Sequence, residues 1–434
     1  LPQPGRCSVP MHSVRSRFSG RNGLASSTTI SEVGGTVRSF DPELRDLVEA
    51  RVRKLAAGVA EAMDAVRAAL AENKAIRIAG TGTFNGLGNP LTKESVVIDS
   101  LKMTEFIEYD QDNQFITVGS GVTLAALQEK LGEQNQWLPL RPPFGTTATT
   151  IGSIVATAEV GPERLTYSAP RDMLLGLQYI DSSGSMVSAG GKVVKNVAGY
   201  DMTRLLTGSM GTLGFITEAT WKIATRPEVC KQLSGSGSLE ACFEAGLKIV
   251  NSNLLAALVT IKPGAGRTTL QVGFEGLELV VDSQIERCAE VMKGSGLDLA
   301  EAEVYPVVEG FLAPTFASIW EAPFVFQADF VIKHGAEFAD QLAQAAPPAG
   351  VLLDVAGGRI YAGFEALTTS QWLALDGMAA KFKGHCKLLK ATEAFGKEHD
   401  LFGSSRPDWR LSHLIKNALD PDNMFAPGAL PGRV

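Results

Sequence analysis

The chain has 434 residues, 45% hydrophobic and 20% charged, with a formal net charge of −7. That much apolar material excludes a disordered polymer, and the length points to two or three domains. The acidic balance is opposite to the basic excess of nucleic-acid binders, so no nucleic-acid partner is expected. Apolar runs such as "LLAALVTI" at 254–261 are far shorter than a membrane span, so no transmembrane segment is expected either.

The first 38 residues are rich in serine and arginine and carry no acid before Glu32. Such a composition suits either a disordered tail or an organelle-targeting segment, and it lacks the apolar stretch of a secretory signal. From Asp41 to Lys74 the apolar residues recur at helical spacing, which predicts one or two helices. A short strand at 75–79 then runs into "GTGTFNGLG". Further strands are predicted at 95–102, 106–110 and 115–121. Thr123 stands as the N-cap of a helix over 123–135. A loop punctuated by proline and glycine, 137–161, leads into a short helix. A hairpin is predicted over 173–191, turning at Ser182–Ser185. A helical turn at 202–208 and a long strand at 212–224 follow. After about 227 strands and helices alternate in the manner of a ferredoxin-like α+β unit, with no visible internal repeat. The last helix stops at Asp420–Pro421.

Five cysteines, at 7, 230, 242, 288 and 386, are scattered without a CxxC pair. Neither a disulfide framework, a structural zinc site nor an iron–sulfur cluster fits that spacing, so no metal is expected, and reduced thiols suit a cytoplasmic compartment. The histidines after the tail, at 334, 385, 399 and 413, are isolated from one another. The chemical signals lie elsewhere, in three loops made of glycine and small hydroxyl residues. The first is "GTGTFNGLG" (80–88). It departs from G-x-G-x-x-G because Asn85 stands at the third glycine, and no Rossmann-type acid follows. By itself it reads equally as a tight turn or as a phosphate cradle. The second is "TTATTIGSIVATAEVG" (146–161). The third, "GGKVVKNVAGYDMTRLLTGSMGTLGFI" (190–216), carries six glycines beside Lys192, Lys195 and Arg204. Three such loops, each beside strands, suit one extended polyanionic ligand held by backbone donors, such as a dinucleotide. The cations are open to two readings: neighbours of a phosphate or acid substrate, or ordinary solvated ion pairs.

The order of these loops, with "ATTIGSIVA", "RDMLLGLQYIDSSG" and "KNVAGYDMTRLLTGSMGTLGFITEATWKI", resembles the FAD-binding domain of the vanillyl-alcohol oxidase/PCMH superfamily. Together with "GPERL", "GHCKLL" and "DPDNMFAPG", the wording is most similar to the FAD-binding, GlcE-type subunits of glycolate oxidase. The resemblance covers roughly 40–434 and is most specific over 143–222. It implies an α+β fold: a PCMH-type two-subdomain FAD-binding domain at 39–226, a smaller ferredoxin-like α+β cap domain at 227–390, and a C-terminal segment, 391–434, packing back on the FAD domain.

By position, the resemblance makes Gly80, Thr81, Gly82, Thr83, Phe84 and Asn85 the pyrophosphate loop. It sets Pro143, Thr149, Thr150, Gly152, Ser153, Thr157 and Gly161 along the flavin and ribityl chain, and brings Gly211, Gly214 and Ile216 to the cofactor from the last strand. The glycine loop holds neither His nor Cys, so the FAD is expected to be non-covalent. TIGG, common in the superfamily, is here Thr150-Ile151-Gly152-Ser153. The His-rich metal and base motif of related 2-hydroxyacid dehydrogenases is missing, and Ala198 replaces a hydroxyl residue before Gly199-Tyr200-Asp201; no catalytic residue is therefore assigned. The expected function is that of an FAD-binding subunit of a 2-hydroxyacid (glycolate) dehydrogenase complex, oxidising glycolate to glyoxylate. Its partners would be a homologous flavoprotein subunit and an iron–sulfur subunit, its place cytoplasmic or peripheral at the inner membrane face. The alternatives are a stand-alone FAD-dependent hydroxyacid oxidoreductase and a non-catalytic FAD-bound scaffold.

Overall fold

Strand Phe215–Lys222, "FITEATWK", is buried on both faces, and the first half of the fold is built around it. The structure, a computed structural model, describes residues 58–84, 86–145, 148–192, 200–264 and 266–434. The tail, the first part of the helical stretch from 41, Asn85, Lys195 and Ala198 lie outside those residues. On one side of Phe215–Lys222 runs Phe115–Gly119, then Phe106–Asp110; on the other runs Leu174–Ile180, then Met186–Gly190. All four pairings are antiparallel. The hairpin closes at 181–185, where Asp181 Oδ1 accepts the amides of Ser183 (2.8 Å) and Ser185 (3.0 Å).

Helices Leu124–Gly132 and Ile151–Thr157 pack Leu127, Leu131, Ile154 and Val155 against this sheet, around Trp221. Each such fully buried side chain contributes about 1.5–3 kcal/mol. Both helices start as their caps dictate: Thr123 Oγ1 accepts Ala126 N and Thr150 Oγ1 accepts Ser153 N. A second, parallel pair, Ala75–Ala79 with Ser95–Asp99, carries the first glycine loop at its end. The C-terminal segment adds to this pair. Ile76 N donates to Met424 O (2.7 Å) and Ala426 N to Ile76 O (2.7 Å).

The region from Val229 to Lys390 forms a nine-stranded sheet. One ferredoxin-like unit was expected; two are present. In the first, strands Val229–Gly237, Leu258–Lys262, Thr268–Gly276 and Asp298–Leu299 alternate with helices Leu239–Val250 and Glu278–Gly294 in the order βαββαβ. In the second, strands Phe324–Asp329, Gly350–Asp354, Arg359–Phe364 and His385–Lys390 do the same with helices Gly335–Ala345 and Thr369–Lys381. The second strands of the two units join edge to edge, Thr260 opposite Asp354 and Ile261 opposite Leu353. The repeat escapes a reading of the letters because it lies in the order of elements, which unrelated residues satisfy if the apolar alternation is kept.

The four helices share one face of this sheet, in a core holding Phe243, Ile249, Cys288, Phe338, Leu342 and Trp372. The other face meets the first half of the fold. There Phe84 and Phe144 join Leu258, Phe316, Leu352, Tyr361 and Leu389 in one buried cluster.

Candidate cofactor-binding site

A cleft with about 680 Å³ of empty space, part of it open to solvent, runs where the three glycine loops converge. Gly80, Gly82, Thr83 and Phe84 come to it from the first loop. Thr150, Gly152, Ser153 and Thr157 come from the capped helix, and Gly211, Gly214 and Ile216 from the last strand and the turn before it. Thr81, Pro143, Thr149 and Gly161 stand outside its wall. Thr81 Oγ1 ties the loop to Ala148 O (2.8 Å), and Thr149 Oγ1 lies 3.3 Å from Thr83 Oγ1, so both brace the loop from behind. Gly161 serves a different purpose: a Cβ there would run into Glu163 Oε2.

The glycines do two separate jobs. At Gly80 a Cβ would collide with Thr150 Oγ1, with Cγ2 at 3.1 Å; at Gly152 it would meet Ser120 Cβ at 2.9 Å. Those two residues let loop, helix and strand close on each other. Gly82 is required by its backbone, φ +92°. Several residues of the wall escape a reading of motifs, among them Ser100, Ser120, Leu87 and Met210. Met210 has a signal in hindsight: it holds φ +53° between Gly208 and Gly211, both also left-handed. Such a run turns backbone rather than side chains toward the cleft.

The two described cations of the third loop do not reach the cleft wall. Lys192 pairs with Glu108, and Arg204 Nε lies 3.1 Å from Asp201 Oδ2, both on the surface side of the fold. For these two the ion-pair reading holds. Asp201 also caps the helix Met202–Leu206 by accepting Arg204 N (3.1 Å). Four histidines are described, and none lines the cleft; no cysteine does either, the four described ones being buried in the second sheet region. His385 Nε2 stands 3.3 Å from Asp329 Oδ2 with its side chain half exposed. Among the described residues no group of three or more His, Cys, Asp or Glu side chains is placed to hold a metal ion.

A buried polar knot joins the two halves. Arg141 Nη1 and Nη2 donate to Glu275 (2.7 and 3.3 Å), and Tyr167 and Tyr305 donate their hydroxyls to the same carboxylate (2.6 and 2.7 Å). Burial, and then the Glu275 charge, raise both tyrosine pKa values, so both remain donors. Glu163 lies 3.8 Å from Arg141 Nη1, and its Oε2 is buried without a hydrogen-bond partner. Burial pushes its carboxyl up from 4.5 to about 7, against the pull of Arg141.

A raised folded-state carboxyl pKa sets the sign of a pH effect. Between about pH 4.5 and 7 the unfolded chain gives up this proton while the native chain keeps it, so stability falls as pH rises through that window and levels off above it. Glu163→Gln should remove this slope. The variant is expected to match the wild type near pH 4.5 and to exceed it by up to roughly 3 kcal/mol near pH 8, read by urea unfolding at both pH values. Parallel pH profiles for the two proteins would contradict the assignment.

The cleft fits an extended nucleotide cofactor: its floor is bare backbone at Gly80, Gly82 and Gly211, and its sides carry the hydroxyls of Ser120, Ser153 and Thr157. Residues 52–190, which hold the first two glycine loops of the cleft, match the family described as FAD binding domain, of the PCMH-type superfamily, with FAD as its cofactor. Among its relatives, the chain is 33% identical to the "Glycolate oxidase subunit GlcE" of Escherichia coli (strain K12) over 178 residues, 41% of this chain and 50% of that protein. It is 34% identical to the "Glycolate oxidase subunit GlcD" of Bacillus subtilis (strain 168), over 36% of this chain and 33% of that one. A D-lactate dehydrogenase of Archaeoglobus fulgidus is 37% identical over 33% of this chain and 32% of its own. The chain thus matches half or less of the length of these relatives. A solved structure of alkyldihydroxyacetonephosphate synthase superposes with a TM-score of 0.61 at 16% identity, covering 85% of this chain and 75% of that one, and shows the fold alone. No helix among the described residues is long and apolar enough to cross a membrane.

Proposed function

We propose that this chain is the FAD-carrying subunit of a 2-hydroxyacid dehydrogenase complex. The observation that carries the reading is the convergence of three glycine loops, spread between Gly80 and Ile216, on one cleft whose first two loops lie in the matched FAD-binding domain. Glycolate as substrate, a homologous flavoprotein and an iron–sulfur protein as partners, and a place at the inner face of a membrane through those partners extend the same proposal. The names of the relatives support glycolate and a multi-subunit assembly; the iron–sulfur partner and the membrane place rest on the resemblance of the motifs alone. On this reading Gly80, Gly82 and Thr83 hold the pyrophosphate, in the sequence loop that also contains Asn85. Thr150, Gly152, Ser153 and Thr157 line the flavin and ribityl chain, and Gly211, Gly214 and Ile216 close the cleft. The region 39–226 holds the cofactor, 227–390 covers it, and 391–434 braces the first strand pair. When bound, FAD supplies the two-electron redox chemistry; the chain binds and orients it and shields it from water.

The cofactor is held without a covalent bond, because the described residues of the cleft wall include neither His nor Cys. Acid precipitation of the purified yellow protein is therefore expected to leave a colourless pellet and a yellow supernatant. A yellow pellet would refute non-covalent binding. Dye reduction with glycolate then separates the functional readings. Reduction only in the presence of the partner subunits supports the proposed role; reduction by the isolated chain supports a stand-alone oxidoreductase; none in the assembled complex supports a scaffold.

A further inference from the structure

Phe84 and Leu87 line the cleft; Phe84 belongs to the buried cluster between the two halves, and Leu87 packs against it. Phe144 is its centre. Its ring stacks on Trp320 at 4.9 Å and meets Phe316 and Tyr361 edge-on at 5.3 and 5.6 Å. Phe316 and Tyr361 are themselves in edge contact at 5.2 Å, and Phe84 lies edge-on to Trp320 at 6.3 Å. Rings from two loops of the first half and from one helix and one strand of the second therefore interlock.

A small hydroxy acid would need free charged groups at this border. Its carboxylate requires a cation, and its hydroxyl a base or metal to take the proton as hydride leaves. Around this cluster Lys390 Nζ donates to Trp320 O (2.8 Å), Lys387 Nζ lies 2.7 Å from Glu159 Oε1, and Arg141 is engaged by Glu275. His385 lies on the same strand face as Leu389 but four residues away, roughly 13 Å along the strand.

Resting on the FAD-carrying reading above, we propose that the Phe84–Phe144–Phe316–Trp320–Tyr361 cluster closes the cofactor cleft on the sheet side, so that small anions, hydroxy acids included, are kept from the flavin of this chain. The cluster determines specificity by exclusion. Sulfite, a small anion that bleaches an accessible flavin, is the probe, with glycolate as the second ligand. The FAD-loaded full chain is expected to keep its visible flavin spectrum in millimolar glycolate and to bleach slowly in sulfite. Trp320→Ala, which truncates a partly exposed ring, and Phe316→Leu, which retains an apolar side chain, should each bleach at least about tenfold faster while keeping FAD. A wild type that bleaches as fast as the variants, or whose spectrum shifts with glycolate, overturns the closure while the FAD reading stands. Variants that keep FAD and bleach no faster than wild type overturn it as well. A chain that takes up no FAD refutes the underlying reading and the closure with it.

Discussion

Gly82→Val, purified in excess FAD, is expected to elute from gel filtration without flavin colour. Gly82 sits in the cleft wall at φ +92°, where a β-branched residue is disfavoured and where its side chain would stand against the ligand. The strain costs about 1–3 kcal/mol, which a chain of this size survives; the displaced backbone no longer reaches the pyrophosphate, which it does not survive as a binder. Gly86→Ala is the control. A Cβ there meets nothing within 4 Å, and the backbone is not left-handed. It should retain FAD. Full flavin content in Gly82→Val with a wild-type melting temperature would show that this loop does not hold the cofactor.

Lys416→Met is expected to give the largest loss of stability. Lys416 is wholly buried, and its ammonium donates to Thr212 O (2.8 Å), Phe425 O (2.6 Å) and the buried carboxylate of Asp420. Burial lowers its pKa, with Asp420 opposing. Removing one partner of a buried pair leaves the other uncompensated, at about 3–5 kcal/mol. A second apolar substitution, Asp420→Leu, often rescues such a site, but not here. Asp420 also accepts the amides of Met424 (3.1 Å) and Phe425 (2.8 Å), which would then be buried without acceptors. The double variant should therefore be no more stable than the single one by urea unfolding; recovery to wild type would show that the pair is dispensable. Thr212 lies within the turn that leads to Gly214, so the same lysine links the C-terminal segment to the cleft wall.

The secondary structure of the first half was legible because its signals are local. Thr123, Thr150 and Asp201 cap helices through hydrogen bonds that span three residues, and the 181–185 turn is closed by its own aspartate. The hairpin, the short helix after 150 and the long strand stand where spacing and turn residues place them. The loops of the cleft were legible for a related reason: glycine in a left-handed backbone, or under another chain, leaves a mark in the letters. The side chains between those marks did not. Whether Thr149 or Thr150 faces the cleft depends on how helix, loop and strand dock, and adjacent residues point opposite ways.

Residue pattern and motif resemblance were enough to determine a cored α+β chain with an FAD-type glycine-loop domain and a strand–helix region after 227. Tertiary structure alone decided the rest, because it depends on partners far apart in sequence. Arg141 finds Glu275 across 134 positions, and Lys416 finds Thr212 across 204. The pairing of two βαββαβ units through Thr260 and Asp354 is equally remote. In each case the residue type allowed many partners. Close packing, with the cost of leaving a buried charge or a strand edge unpaired, selected one.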